Sequence, residues 1–198
     1  MQEENFSGQQ SIELIQSMIN RARNRFGENG HLYLVWGWAI LICSVSEFIL
    51  FHYFQYPNHS IVWMLTWLVV IYQVFYLYRH RKREKVKTYT GEIISFVWIV
   101  FVILMGLTGL IFIFQNPASK QELIYPLILS LYGMPTFLSG KILRFRPLII
   151  GGICCWILSL TAVFIPNEFK LLLFSLAVII AWIIPGYILR QRYQTENR

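Results

Sequence analysis

Long apolar runs separated by short polar punctuation dominate this chain. Six such runs stand out, at about residues 31–54, 60–78, 93–114, 123–140, 148–165 and 171–189. Several approach or exceed the roughly 18 apolar residues that mark a helix able to cross a bilayer. Aromatic residues sit at their ends: Trp36 and Trp38 open the first run, and Tyr53 and Tyr56 follow it, as expected of belts at headgroup level. Between runs, Pro57-Asn58, Asn116-Pro117 and Pro166-Asn167 read as turns. The pattern predicts an all-α polytopic membrane protein of six transmembrane helices paired as three hairpins.

Residues 1–30 are polar and precede this membrane domain of residues 31–189; residues 190–198 form a short polar tail. Ser7 and Gln10 offer a capping box. Ile12, Ile15, Ile19, Ala22 and Phe26 then recur at intervals of three and four, which predicts an amphipathic helix. Such a helix can lie on the bundle or at headgroup level, or dock a cytosolic partner. No apolar signal-peptide core is visible here, so the first span is expected to direct insertion.

Charge orients the map. Arg79, Arg81, Lys82, Arg83, Lys85 and Lys87 crowd the loop after the second run. So dense a basic stretch belongs in water, and short basic loops mark the cytoplasmic side. With that loop inside, only Lys120 and Lys170 of the 17 Lys and Arg residues fall on outer loops. Lys141, Arg144 and Arg146 join the inner set, which predicts both termini inside. The net charge of +7 would suggest nucleic acid in a soluble protein, but here it is assigned to orientation and to anionic headgroups. Charged residues make up 14% of the chain and its mean hydropathy is +0.51. No soluble domain of useful size remains.

Candidate chemistry is sparse. Glu47 is the acidic residue lying well inside a span. A charge at that depth costs about 2.5–3.5 kcal/mol on insertion scales, so intramembrane carboxylates are functional candidates. Gln73, Tyr72 and Thr108 are its expected partners, either in a proton or cation site or in an interhelical clamp. The fourth and sixth runs carry Pro135 beside Gly133 and Pro185 beside Gly186. These could break helices around a substrate, as in transporters, or be tolerated kinks. Gly106 and Gly109 are expected to admit a neighbouring helix. Cys43, Cys154 and Cys155 lack redox spacing and read as packing residues. His31, His52, His59 and His80 show no metal-ligand spacing and read as interfacial. No nucleophile or acid–base set is assembled, and no cofactor is expected.

Ser11-x-Glu13-x-Ile15-x-x-Met18-Ile19-x-x-Ala22, followed by Gly30 and Trp36-Gly37, resembles the opening of a group of small bacterial multi-span membrane proteins without an assigned activity. The resemblance covers the first 40 residues and the span pattern; it implies a bacterial inner-membrane location and no site residues. The span count is also similar to that of substrate-binding subunits of vitamin-uptake transporters, without their substrate motifs. The first reading is therefore a non-catalytic membrane component presenting a basic cytosolic face to the bilayer, a cytosolic protein or another membrane subunit. The alternative is a small transporter or transporter subunit built on Glu47 and the proline-bearing spans.

Overall fold

In a computed structural model, the structure describes residues 12–13, 30–81, 89–114 and 117–196. Lys82, Arg83, Lys85, Lys87 and most of the N-terminal stripe lie outside the described residues. Of that stripe Ile12 alone is described, and it and the neighbouring Glu13 are exposed. Six helices are long and apolar enough to cross a membrane, and the described residues contain no strand.

The helices are α1 (His31–His52), α2 (Leu65–Arg81), α3 (Tyr89–Ile113), α4 (Pro117–Ile142), α5 (Arg146–Phe164), α6 (Asn167–Val178) and α7 (Ile184–Glu196). A 3-10 helix, His59–Met64, leads into α2. A π-helical segment, Ile179–Ile183, joins α6 to α7 as one rod. That rod is the centre of the bundle: 56% of its most apolar stretch is buried. Helices α1, α4 and α5 surround it, with α4 against α5 and α1 against α6 the closest pairings. Helix α3 touches the bundle through α4, and none of the second span is buried at all.

Lipid tails are as apolar as Leu, so helices in a bilayer gain little by hiding apolar surface from them; close packing and hydrogen bonds must hold the bundle. Glycine supplies the first. A Cβ on Gly152 would stand 2.7 Å from Phe137 Cβ, and one on Gly140 would stand 2.7 Å from the Ile149 backbone nitrogen. Gly151 meets the Ala181 backbone in the π segment, and Gly37 of α1 meets Ile183. At the start of α1, Gly30 adopts a left-handed φ of 51° directly against Gly186.

The prolines do not interrupt α4, which runs through both Pro126 and Pro135. A proline frees the carbonyl four residues before it. For Pro126 that is Glu122 O, and Lys170 Nζ of α6 donates to it at 2.8 Å. The sixth span is not interrupted either, but its winding changes: a π segment ends just before Pro185. There the backbone N–H of Ile184 reaches the Ile179 carbonyl, one residue further back than in an α-helix.

Gly106 and Gly109 do not admit a helix as expected: nothing lies within 4 Å of either hypothetical Cβ. Helix α3 presents Ile94, Trp98, Phe101 and Met105 to the bundle instead, so large side chains set its distance. This difference is measurable. Gly152→Ala should destabilise the protein by about 1–3 kcal/mol through overpacking, whereas Gly106→Ala should be neutral or stabilise by up to about 1 kcal/mol. Unfolding of the two variants in one detergent compares them directly.

Candidate functional site

Helix α1 carries Glu47 near its end, with Cys43 and Ser44 one turn earlier on the buried side. Pro57-Asn58 turns the chain back, and the 3-10 helix then lays His59 and Trp63 across Glu47. His59 Nδ1 lies 2.8 Å from Glu47 Oε1. Trp63 Nε1 donates to Oε2 at 2.6 Å. The carboxylate is only 2% exposed, and both oxygens are occupied by the chain's own groups. The Phe51 ring stands edge-on over His59 at 5.0 Å, and Cys43 Sγ donates to the Val62 carbonyl at 3.4 Å.

The walls of this site come from two further helices. Trp63 packs against Phe174 of α6 at 6.0 Å between centroids. Behind it, Phe174 meets Tyr132 of α4 edge-on at 5.4 Å. Around Glu47 at the same end, His52 faces Glu168 at 3.9 Å, and Lys170 is buried with its ammonium on Glu122 O. A buried carboxylate paired with an imidazole and an indole N–H is a satisfied unit, so its insertion penalty is offset locally.

The expected partners of Glu47 are elsewhere. Gln73 Oε1 accepts from Trp36 Nε1 at 2.6 Å. Tyr72 hydroxyl meets His31 Nε2 at 2.8 Å. Both bonds tie α2 to the start of α1, far along the helix from Glu47. Thr108 Oγ1 turns back on its own helix and donates to Leu104 O at 2.7 Å. His59 is therefore more than an interfacial residue. The signal that marked it was the i, i+4 spacing of His59 and Trp63, just across a Pro-Asn turn from the Glu47 end of α1.

Of the helix-break residues, Pro135 is fully buried within unbroken α4 and Gly133 receives the Trp156 indole. Pro185 is also fully buried, and Gly186 lies against Leu34. Near them Trp182 Nε1 donates to Thr136 Oγ1 at 3.1 Å, and its ring stacks on Tyr132 at 4.9 Å. Ser139 Oγ is buried and, among the described residues, without a well-formed hydrogen bond. A groove of about 260 Å³ opens beside Cys43 and Ser46, lined further by Ile42, Ile61, Val62 and Leu65. It is mainly apolar, with Ser46 and Cys43 as its polar side chains. Among the described residues, no three His, Cys, Asp or Glu side chains are placed to hold a metal ion. Arg79, Lys141, Arg144 and Arg146 are exposed, and Arg81 falls at the last residue of α2.

The clamp makes a sharp prediction. Glu47→Leu leaves the His59 and Trp63 donors stranded, at about 1–3 kcal/mol for each unmade bond. Glu47→Gln keeps one acceptor for Trp63, and its amide can donate to His59 Nδ1 once the imidazole adopts the other tautomer. Thermal unfolding in detergent should therefore place Gln close to wild type and Leu well below both.

No family model, no curated protein and no solved structure matches this chain, so the meaning of Glu47 rests on its own geometry.

Proposed function

We propose that this protein is a non-catalytic component of a bacterial inner membrane, with both termini in the cytoplasm, that works through its surfaces. Its contacts run through the basic cytosolic face and the N-terminal amphipathic segment, toward anionic headgroups and a cytosolic protein or second membrane subunit. Neither nucleic acid nor a cofactor has a part in this reading. The observation that carries it is the state of Glu47. Both oxygens of the one strongly placed intramembrane carboxylate are taken up by His59 and Trp63, which favours a clamp over an open site for an ion or substrate. The asymmetry of Lys and Arg supports the orientation.

A transporter reading keeps one observation in its favour. Ser139 Oγ is buried without a well-formed hydrogen bond, the Tyr33 hydroxyl being its polar neighbour, and the π segment lies on the neighbouring central rod. Buried unsatisfied groups and π turns both occur at functional positions. In that case protons or cations would move with substrate through a path that needs Glu47.

Reconstitution into sealed vesicles separates the two. Under an imposed pH gradient, wild type and Glu47→Gln should dissipate the gradient at the same slow rate as protein-free vesicles. A flux that depends on Glu47 would establish the transporter instead. For the orientation, single cysteines at Glu84, Arg144 and Thr195 in a cysteine-free background should resist an impermeant thiol reagent in intact cells, while those at Ser119 and Asn167 react. Strong labelling at Glu84 would invert the whole map.

A further inference from the structure

The turn between α4 and α5 combines three features. First, it is closed in an unusual way. Phe145 N–H bonds to the Gly140 carbonyl at 2.8 Å, with Arg144 between them at a φ of 51°. This is a Schellman ending, in which the left-handed position is normally glycine. Arginine there costs stability that a glycine would not. Phe145 is buried against Leu148 and Leu189, so the turn is anchored and Arg144 is held outward.

Second, Lys141 does not reach toward the water beyond the helix end. Its ammonium lies over the ring of Phe137, 5.7 Å from the centroid, one turn back toward the middle of the span. Lysines near helix ends usually extend toward the aqueous side. Third, Lys141, Arg144 and Arg146 are all exposed, and none has a carboxylate partner among the described residues.

These cations crown a continuous surface. Phe137 and Lys141 stand one turn apart on α4, and Arg144 follows in the turn. Arg146, Ile153 and Trp156 follow one another at helical spacing on α5, beside them. Phe137 and Trp156 meet at 5.2 Å between ring centroids, and Gly133 and Gly152 let the two helices close until these rings touch. The result is an apolar and aromatic wall that ends in three cations, one of them set below the helix end.

We propose that this α4–α5 face binds one anionic phospholipid, with its phosphate between Lys141, Arg144 and Arg146 and an acyl chain along Phe137, Trp156 and Ile153. Charge complementarity argues for the phosphate, and the wall argues for a lipid over a free anion. Lys141 turns back over Phe137, so the cation and the aromatic wall are neighbours that one headgroup and its acyl chain can meet together. The proposal rests on the chain being embedded in a membrane, and it narrows the general attraction of a basic face to one site.

Purified protein in detergent, titrated with phosphatidylglycerol, phosphatidylcholine or inorganic phosphate and followed by native mass spectrometry and thermal unfolding, tests it. Phosphatidylglycerol should bind and raise the melting temperature; phosphatidylcholine and inorganic phosphate should do neither. The triple variant Lys141→Gln, Arg144→Gln, Arg146→Gln should lose about tenfold or more in affinity for phosphatidylglycerol. A control, Arg79→Gln with Arg190→Gln, should lose little. Arg144→Gly gives the most telling result: without lipid it should melt higher than wild type, because glycine suits the left-handed position, yet it should bind phosphatidylglycerol more weakly. Equal loss in the control would show a diffuse basic face and overturn the site. Equal binding of phosphatidylcholine would overturn the anionic preference. Stabilisation by inorganic phosphate would assign the cations to a soluble ligand and overturn the lipid. None of these outcomes depends on the vesicle flux or on Glu47, so failure here leaves the general reading standing.

Discussion

In hydrocarbon, apolar surface gives helices no reason to prefer one another over lipid. Every association in this bundle must therefore come from close packing, of backbones or of interlocking side chains, or from a hydrogen bond made between helices. The protein divides these two means between its helices. Around the central rod, glycines at 37, 133, 140, 151, 152 and 186 bring helices close. Helix α2 contains no glycine and no fully buried residue among those described, and it is attached differently. Glu47 to His59 and Trp63, Trp36 to Gln73, and His31 to Tyr72 fasten the second span to α1 along its length. The polar residues within the first two spans are thus accounted for mainly as fasteners.

That division also explains what was legible in the sequence. The six helices were readable because span length and apolarity are local properties. Glu47 stood out because a carboxylate in an apolar run is conspicuous without any structure. Its partners did not, because partner choice depends on where the returning helix begins. The 3-10 segment places His59 and Trp63 at the level of Glu47, which leaves Gln73 and Tyr72 opposite the first turns of α1. Gly106 and Gly109 looked like contact points, but a small residue only permits approach. The neighbours that arrive on α3 meet Trp98 and Phe101 first.

The prolines show the same limit. Pro126, Pro135 and Pro185 all remove a backbone donor, yet their surroundings give different results. At Pro126 the freed Glu122 carbonyl finds the buried Lys170 ammonium, and the helix continues. At Pro185 the rod changes its winding over Ile179–Ile183. A reading of sequence alone sees equal candidate interruptions at Pro135 and Pro185, because what a lost donor does to a helix is decided by groups on another helix or another turn.

The π segment has a consequence for how this chain tolerates insertions and deletions. A π turn is what an α-helix becomes when one extra residue is accommodated without disturbing either flank. Removing one residue between Ile179 and Ile183 would return the rod to a continuous α-helix and leave both flanks on their present faces, with Gly186 still against Leu34 and Leu189 still against Phe145 and Leu148. Removing one residue from an α-helical turn on either side would instead rotate everything beyond it by about 100° and carry those contacts away. The chain therefore has one place in its central rod where a single-residue deletion leaves the helix faces in register, and the flanking turns do not share that tolerance.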